Sequence, residues 1–320
     1  MHCVLRAVVA VALSIVFATF AQDYPGRPLR MVAGMAAGGG ADANARRLAQ
    51  ILTRNLKYNV IVDNIAGGAG NLAAQTVAGA GADGHTLLFA SHPILAINPV
   101  LYEHLPFNPN QLTPVALVSQ TPHILLVNAA VSVASVSELV RYAKARPAAL
   151  NFGSGGTGTS IHLAGELLQS MSGITLTHVP YRGAAPAFAA LIGNEIQLLF
   201  DSSTTAIGHL RGGRVRGLAI ASLARLSVVP DLPTFIESGV PGFDAGVSHG
   251  VLANAATSPD RVMILNRAIN AALSDADYRR QMADLGVVLV GGPPEKFAQY
   301  LAGERAKWSD VIHKRGIKVD

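Results

Sequence analysis

The sequence predicts an α/β protein of two lobes, each a mainly parallel sheet flanked by helices, with a ligand cleft between the lobes. Three observations point there. Short apolar runs alternate with helix-period segments along most of the chain, the order expected of βαβ units and a parallel sheet. A strand, a glycine loop and a helix start recur at 29–47 and at 150–169, far enough apart to belong to separate lobes. Half of the 320 residues are hydrophobic and only 14% are charged, enough apolar side chain for two well-buried cores.

Residues 1–21 read as a secretory signal. Arg6 marks the basic end, 8–20 is apolar, and Thr19-Phe20-Ala21 ends on a small residue, so cleavage is expected after Ala21. The run falls short of the roughly 20 apolar residues that a spanning helix needs. Cys3 is the only cysteine and leaves with the signal, which excludes disulfides, thiolate chemistry and Cys-ligated metal from the mature chain. An exported chain without cysteine suits a bacterial periplasm. The formal charge of +5, or +4 without Arg6, favours anionic ligands by steering. Nucleic acid is not an expected partner: aromatics are 6% and the basic residues are scattered. Arg211, Arg214 and Arg216 read as a solvated turn ahead of strand 217–222.

Each element follows from its pattern. Residues 29–33 form a buried strand, and Gly34, Gly38, Gly39 and Gly40 break it. Helix 41–53 puts Ala45, Leu48, Ala49 and Leu52 on one face, with Asp42 and Asn44 at its N-cap or first turn. Free backbone N–H groups and the helix dipole make such a loop an anion site, although the same glycines also suit a plain tight turn. Strand 60–62, glycine loop 63–71, helix 72–80 and strand 85–90 repeat the unit. The loop 91–98 then lies at a carboxyl edge, where open α/β sheets bind ligands, which makes Ser91 and His92 cleft candidates; His92 reads more simply as a satisfied loop histidine. Residues 102–113 read as irregular. Strands 115–119 and 124–127 are expected on either side of a break at Thr121-Pro122, where the chain first crosses between lobes. Helix 135–146 takes Ser135 or Ser137 as its cap and is followed by Pro147.

The second glycine loop, after strand 150–152, carries Gly153, Gly155, Gly156 and Gly158 with Ser154, Thr157, Thr159 and Ser160 among and after them. Its G-x-G-x-x-G spacing suits a dinucleotide, but the acid that would hold the ribose is missing from the end of the next strand, 174–179, where the chain reads His178 to Gly183. Helix 184–192 and strand 195–200 lead to Asp201, followed by four hydroxyl residues; Asp201 either accepts from a ligand or holds a neighbouring loop. A second crossing is placed near Pro241-Gly242-Phe243, ahead of strand 248–253. Helix 260–274 is expected to start on a hydroxyl cap with Pro259 at its first position, and helices 276–285 and 294–314 follow, the last with Phe297, Leu301 and Trp308 inward. The lobes are therefore 22–121 with 242–320, and 122–241. Catalytic motifs are missing: there is no G-x-S-x-G, no H-E-x-x-H and no Cys–His pair. His162 and Glu166, four apart on one helix face, read as a capping or packing pair, so neither a metal nor a cofactor is expected.

With these residues in view, the chain resembles the tripartite tricarboxylate transporter receptors, the Bug or TctC-type periplasmic solute-binding proteins. The likeness runs from about Tyr24 to Asp320. It rests on AGGGADANAR at 37–46, NIAGGAGN at 64–71, DGHTLL at 83–88, LPFNP at 105–109, GSGGTGTSIHLAGELL at 153–168, HVPYRG at 178–183, PDLPTFIESGVPGF at 230–243 and the ending GIKVD. Singly these are weak; in this order and spacing they are specific. The resemblance implies a type II-like periplasmic binding fold, two lobes joined by two crossovers that close on a small carboxylate-bearing solute. It implies a monomeric receptor, not an enzyme, that hands its solute to membrane permease subunits. It also implies a grip on one carboxylate through backbone amides, hydroxyls and bridging waters rather than an arginine. By position, the first-lobe contacts fall on Ala36, Ala37, Gly38, Gly39, Gly40, Ala41, Gly67, Gly68, Ala69 and Asn71, with Ser91 at the strand edge. Those of the second lobe fall on Gly153, Ser154, Gly156, Thr157, Thr159, Ser160 and Asp201. Dicarboxylates, amino acids and aromatic acids all remain open as ligands, and a sensor that docks on a membrane kinase is the alternative to transport. Three positions depart from the family pattern: Gly34-Met35-Ala36 replaces Pro-Phe, Ser248 replaces a Trp, and Asn194 stands where glycine is common.

Overall fold

The computed structural model describes residues 24–319; the segment read as a signal, with Cys3 and the cleavage point, lies outside them. The first βαβ units form as the periodicity predicts: β1 (Leu29–Ala33), α1 (Gly40–Leu56), β2 (Val60–Asn64), α2 (Asn71–Ala78) and β3 (Thr86–Ser91). β1 pairs in parallel with both β2 and β3. The segment after β3, expected as a loop, instead winds into two short helices, α3 (Pro93–Ala96) and α4 (Asn98–Leu101). Each begins with a proline in its first two positions, where the missing N–H costs nothing.

The largest departure from expectation is β4 (Leu112–Asn128), one strand of 17 residues where the prolines suggested two. Pro114 sits at a register shift against β9 (Gly246–Asn254). Pro122 is the last residue paired with that strand before the pairing partners change. A proline breaks a strand only where its N–H is required, and both lie where the ladder is already interrupted. The remaining elements are α5 (Val136–Ala145), β5 (Asn151–Ser154), α6 (Ser160–Ser172), β6 (Thr177–Pro180), α7 (Ala184–Ile192), β7 (Leu198–Ser202), α8 (Ser203–Arg211), β8 (Val215–Ile220), β9 (Gly246–Asn254), α9 (Pro259–Leu273), α10 (Ala276–Asp284), β10 (Val288–Leu289) and α11 (Pro294–Arg315). Ser135 caps α5 as expected, accepting from the Glu138 N–H at 3.2 Å while Glu138 Oε2 accepts from Ala134. Ser258 occupies the cap position of α9, but its hydroxyl makes no capping bond.

The strand order β2-β1-β3-β9-β4-β7-β5-β6 runs through β4. As far as Pro122, β4 pairs antiparallel with β9; from His123 onward it pairs with β7 and β8. Parallel strands β1, β2 and β3 therefore point their carboxyl ends at the crossing from one side, and β5, β6 and β7 from the other. Gly246 is required at the crossing, since a Cβ there would lie 2.4 Å from the Thr121 carbonyl oxygen. α11 straps the two halves together. Phe297 and Leu301 pack with Leu117 and Leu252, whereas Trp308, Val311 and Ile312 pack with Leu125, Phe152 and Phe243.

Candidate functional site

Side chains alternate along a strand, so Ser119, Thr121 and His123 share one face of β4 while Gln120 and Pro122 share the other. The first face carries both glycine-loop helices. Asn44, in the second turn of α1, donates through Nδ2 to Ser119 Oγ at 2.9 Å, and Tyr278 Oη donates to Asn44 Oδ1. Ser160, the first residue of α6, places Oγ 3.1 Å from His123 Nε2. The two helices are thus moored four residues apart on one strand, ~13 Å at strand rise. The opposite face belongs to α11: Ser248 Oγ and Tyr300 Oη are 2.6 Å apart. A cavity of about 220 Å³ lies there, lined among others by Gln120, Pro122, Ser248, Tyr300, Glu304 and Lys307.

The first loop is open. Ala36, Ala37, Gly38, Gly39 and Gly40 are exposed. Gly39 occupies the cap position with no capping side chain; Asp42 lies in the first turn, one of the two expected places, and Asn44 in the second. Asp42 instead turns back from the third helical position. Its carboxylate accepts from Gly38 N–H, Arg46 Nε and Asn64 Nδ2, each at 2.9 Å. Burial alone would raise its pKa, but these hydrogen bonds and the Arg46 charge hold it below the usual carboxylate value. The N–H groups of Gly40 and Ala41 have no acceptor among the described residues. Further along, Gly67, Gly68, Ala69 and Gly70 all take positive φ, and the first three are exposed. Asn71 is buried, its Oδ1 accepting from Asn98 Nδ2 at 2.7 Å. Ser91 ends β3, half-buried opposite His249 of β9.

The second loop is knitted. Ser154 Oγ accepts from Gly156 N–H at 3.1 Å and donates to the Gly156 carbonyl, with His178 Nε2 at 2.7 Å. Thr159, the cap of α6, accepts from His162 N–H and donates to the Gly156 carbonyl at 2.7 Å. Gly158 N–H donates to His162 Nδ1 at 3.1 Å. His162 Nε2 lies 3.5 Å from Glu166 Oε1, and Arg315 Nε donates to Glu166 Oε2 at 2.5 Å. His162 and Glu166 are therefore the capping and packing pair the spacing predicts. Gly153 and Ser154 are buried; Thr157 is exposed. The N–H groups of Thr157, Ser160 and Ile161 have no acceptor among the described residues.

Residues 44–317 match the TctC family, described as the tripartite tricarboxylate transporter family receptor. The chain belongs to that family. It is 33% identical to protein BugT of Bordetella pertussis, covering 93% of this chain and 92% of that one. Among solved structures, Rpa4515 of R. palustris with adipate is 32% identical over 92% of this chain and 99% of its own, with a TM-score of 0.80. MatC from Rhodopseudomonas palustris, with bound malate, is 32% identical over 90% and 100%, with a TM-score of 0.75. This TctC chain is a solute-binding receptor of the tripartite type with the α/β periplasmic binding fold, and it is not an enzyme.

Within the receptor, Asp201 serves its own turn. Its Oδ1 accepts from Ser202 N–H and its Oδ2 from Thr205 Oγ1, both at 2.8 Å, and His209 Nε2 is 3.8 Å away. Burial pushes its pKa up against those contacts. Of the four hydroxyls that follow it only that of Thr205 bonds Asp201; those of Ser202 and Thr204 pair with each other, and that of Ser203 donates to the Gly286 carbonyl. His92 is held on one side only: its Nδ1 accepts from Ser248 N–H at 3.0 Å and its backbone N–H donates to the Ser248 carbonyl, while its buried Nε2, 3.4 Å from Glu304 Oε2, makes no hydrogen bond among the described residues.

Sequence reading missed His123 and His249. Each sits on a hinge strand opposite the last residue of a parallel strand, His249 beside Ser91 of β3 and His123 beside Ser202 of β7. Both are buried, burial pushes both down to about 4, and neither Nδ1 has a partner among the described residues. A polar residue inside an apolar strand was the available signal. The departures from the family pattern also find places. Ser248 is buried against Tyr300, Met35 packs half-buried on the core beneath α1, and Asn194 takes φ +59, a left-handed conformation asparagine tolerates.

Proposed function

We propose that this receptor captures a small organic carboxylate between its lobes and delivers it to the membrane permease subunits of a tripartite transporter. One observation carries the reading. The starts of α1 and α6, with the unpaired N–H groups of Gly40, Ala41, Thr157, Ser160 and Ile161, stand over one face of β4. Backbone donors at a helix N-terminus bind anions, and a hydrogen bond to a charged acceptor is about twice as strong as a neutral one. The adipate and malate of the two R. palustris structures support the ligand class.

In this reading Ala36–Ala41, Gly67–Asn71 and Ser91 serve from the lobe formed by 22–121 with 242–320. Gly153–Ser160 serve from the lobe formed by 122–241, and Asp201 holds the β7–α8 turn. The receptor is a monomer, exported to the periplasm with its signal removed after Ala21. Thermal unfolding of the mature chain against dicarboxylates, amino acids and aromatic acids tests this. A solute at 100 times its dissociation constant adds about 2.7 kcal/mol, a shift of several degrees. No shift with any carboxylate would overturn the reading.

A further inference from the structure

We propose that His123 is a positioning residue that fixes the Ser160 hydroxyl as a hydrogen-bond donor toward the ligand's carboxylate. The inference rests on the reading of the site given above. His123 is 1% exposed, its Nε2 lies 3.1 Å from Ser160 Oγ, and its Nδ1 is buried with no partner among the described residues.

A neutral imidazole carries one proton, and the two tautomers are not equivalent here. With the proton on Nδ1, a buried N–H would be stranded, and orphaned buried donors are rarer than orphaned acceptors because they cost more. With the proton on Nε2, that N–H donates to Ser160 Oγ and only a lone pair is left bare at Nδ1. A doubly protonated ring would strand both a donor and a charge. Burial already holds the ring neutral, with its pKa pushed down to about 4.

The serine oxygen therefore accepts from His123, and its own proton has no acceptor among the described residues. At the first position of α6, that proton joins the N–H groups of Ser160 and Ile161 as a third donor. The consequence is a sign of selectivity: this corner presents donors alone, so it takes an oxyanion and refuses an ammonium group. It also separates Ser160–His123 from a nucleophile and its base. The imidazole nitrogen facing the serine already holds a proton and cannot accept another.

Two measurements test it. In nitrogen-15 NMR of the full mature chain, His123 should be protonated on Nε2; protonation on Nδ1 would overturn the proposal, and this readout needs no variant. In calorimetry with adipate and malate, Ser160→Ala and His123→Phe should each weaken the tighter of the two by about 10-fold. The double variant should lose no more than Ser160→Ala alone, because a positioning group has nothing left to position. Losses that multiply to about 100-fold would mean His123 acts independently of Ser160, and unchanged affinity in both single variants would also overturn the inference while leaving the receptor reading intact. Failure of the unaltered protein to bind any carboxylate would remove the site reading and this inference together.

Discussion

Between β1 and α1 the glycine loop is exposed and organised by a charge, the Asp42 carboxylate that gathers Gly38, Asn64 and Arg46. Between β5 and α6 the loop is half-buried and held by hydrogen bonds among Ser154, Thr159, His162 and His178, with the N–H groups of Thr157, Ser160 and Ile161 left without acceptors among the described residues. The two segments share one residue vocabulary, small residues and glycines ahead of a helix, yet differ in what holds them. A connected network of hydrogen bonds rigidifies its loop. The second loop is also tied to α11 through Glu166 and Arg315, and to the hinge through His123. The second loop is therefore the preorganised one, and the first is open. Preorganisation reduces the cost of ordering on binding, so the first loop is where that cost falls.

The sharpest way to break this comparison is to fill one glycine in each loop. Gly158 has φ +79, and a Cβ there would lie 2.8 Å from the Leu101 side chain and 3.0 Å from that of Val319. Gly158→Val should therefore cost roughly 3 kcal/mol in denaturant unfolding, combining backbone strain with overpacking. Gly39 has an ordinary φ of −82 and open space around its Cβ position, so Gly39→Ala should cost only the poorer cap, under about 1 kcal/mol. Equal costs at the two positions would erase the distinction.

A second substitution sharpens it. Gly39→Asp puts a good capping residue at the start of α1, so stability should hold or rise by a few tenths of a kcal/mol. The added carboxylate would occupy the anion corner, and carboxylate affinity should fall by at least about 10-fold. Full affinity in a stable Gly39→Asp protein would remove the first loop from the site.

The smallest expected effect is a pH slope. His123 and His249 are neutral in the native protein, with pKa values pushed down to about 4, against an ordinary value near 6.5 in the unfolded chain. The unfolded chain thus takes up protons first, and the stability each histidine contributes above pH ~6.5 is lost as the pH falls toward 4. At pH 6 the loss is roughly 0.8 kcal/mol for each. Asp42 and Glu166, held low, lose stability only at still lower pH, while Asp201 and Asp244, pushed up by burial, gain as they protonate. His249→Phe should therefore show a shallower fall in unfolding temperature from pH 7 to 6 than the unaltered protein. An identical slope would mean the ring is not held neutral.

Much of the architecture was legible because the apolar runs at 29–33, 85–90 and 195–200 have no other use than buried parallel strands. β4 was misread because Pro114 and Pro122 look like breaks in isolation, and only the change of pairing partner explains why they are tolerated. The glycine loops announced themselves, but their wiring did not. Asp42 lies in the first turn of α1, one of the two places the pattern allowed, but its role as a clamp depends on Asn64 from a separate strand. Asp201 read either as a ligand acceptor or as the holder of a loop, and its contacts with Ser202 N–H and the Thr205 hydroxyl fit the second role. His123 and Ser160 stand 37 positions apart and meet only through the register of β4 against β7, which no local pattern encodes.

In the proposed function the two loops form one anion site over β4. Amide NMR during titration with adipate or malate tests it most directly. The N–H signals of Gly40 and Ala41 in the first loop, and of Thr157, Ser160 and Ile161 in the second, should move together with a single dissociation constant. Movement confined to residues such as Ser248, Tyr300 and Lys307 around the cavity behind the hinge, with both loops silent, would contradict it.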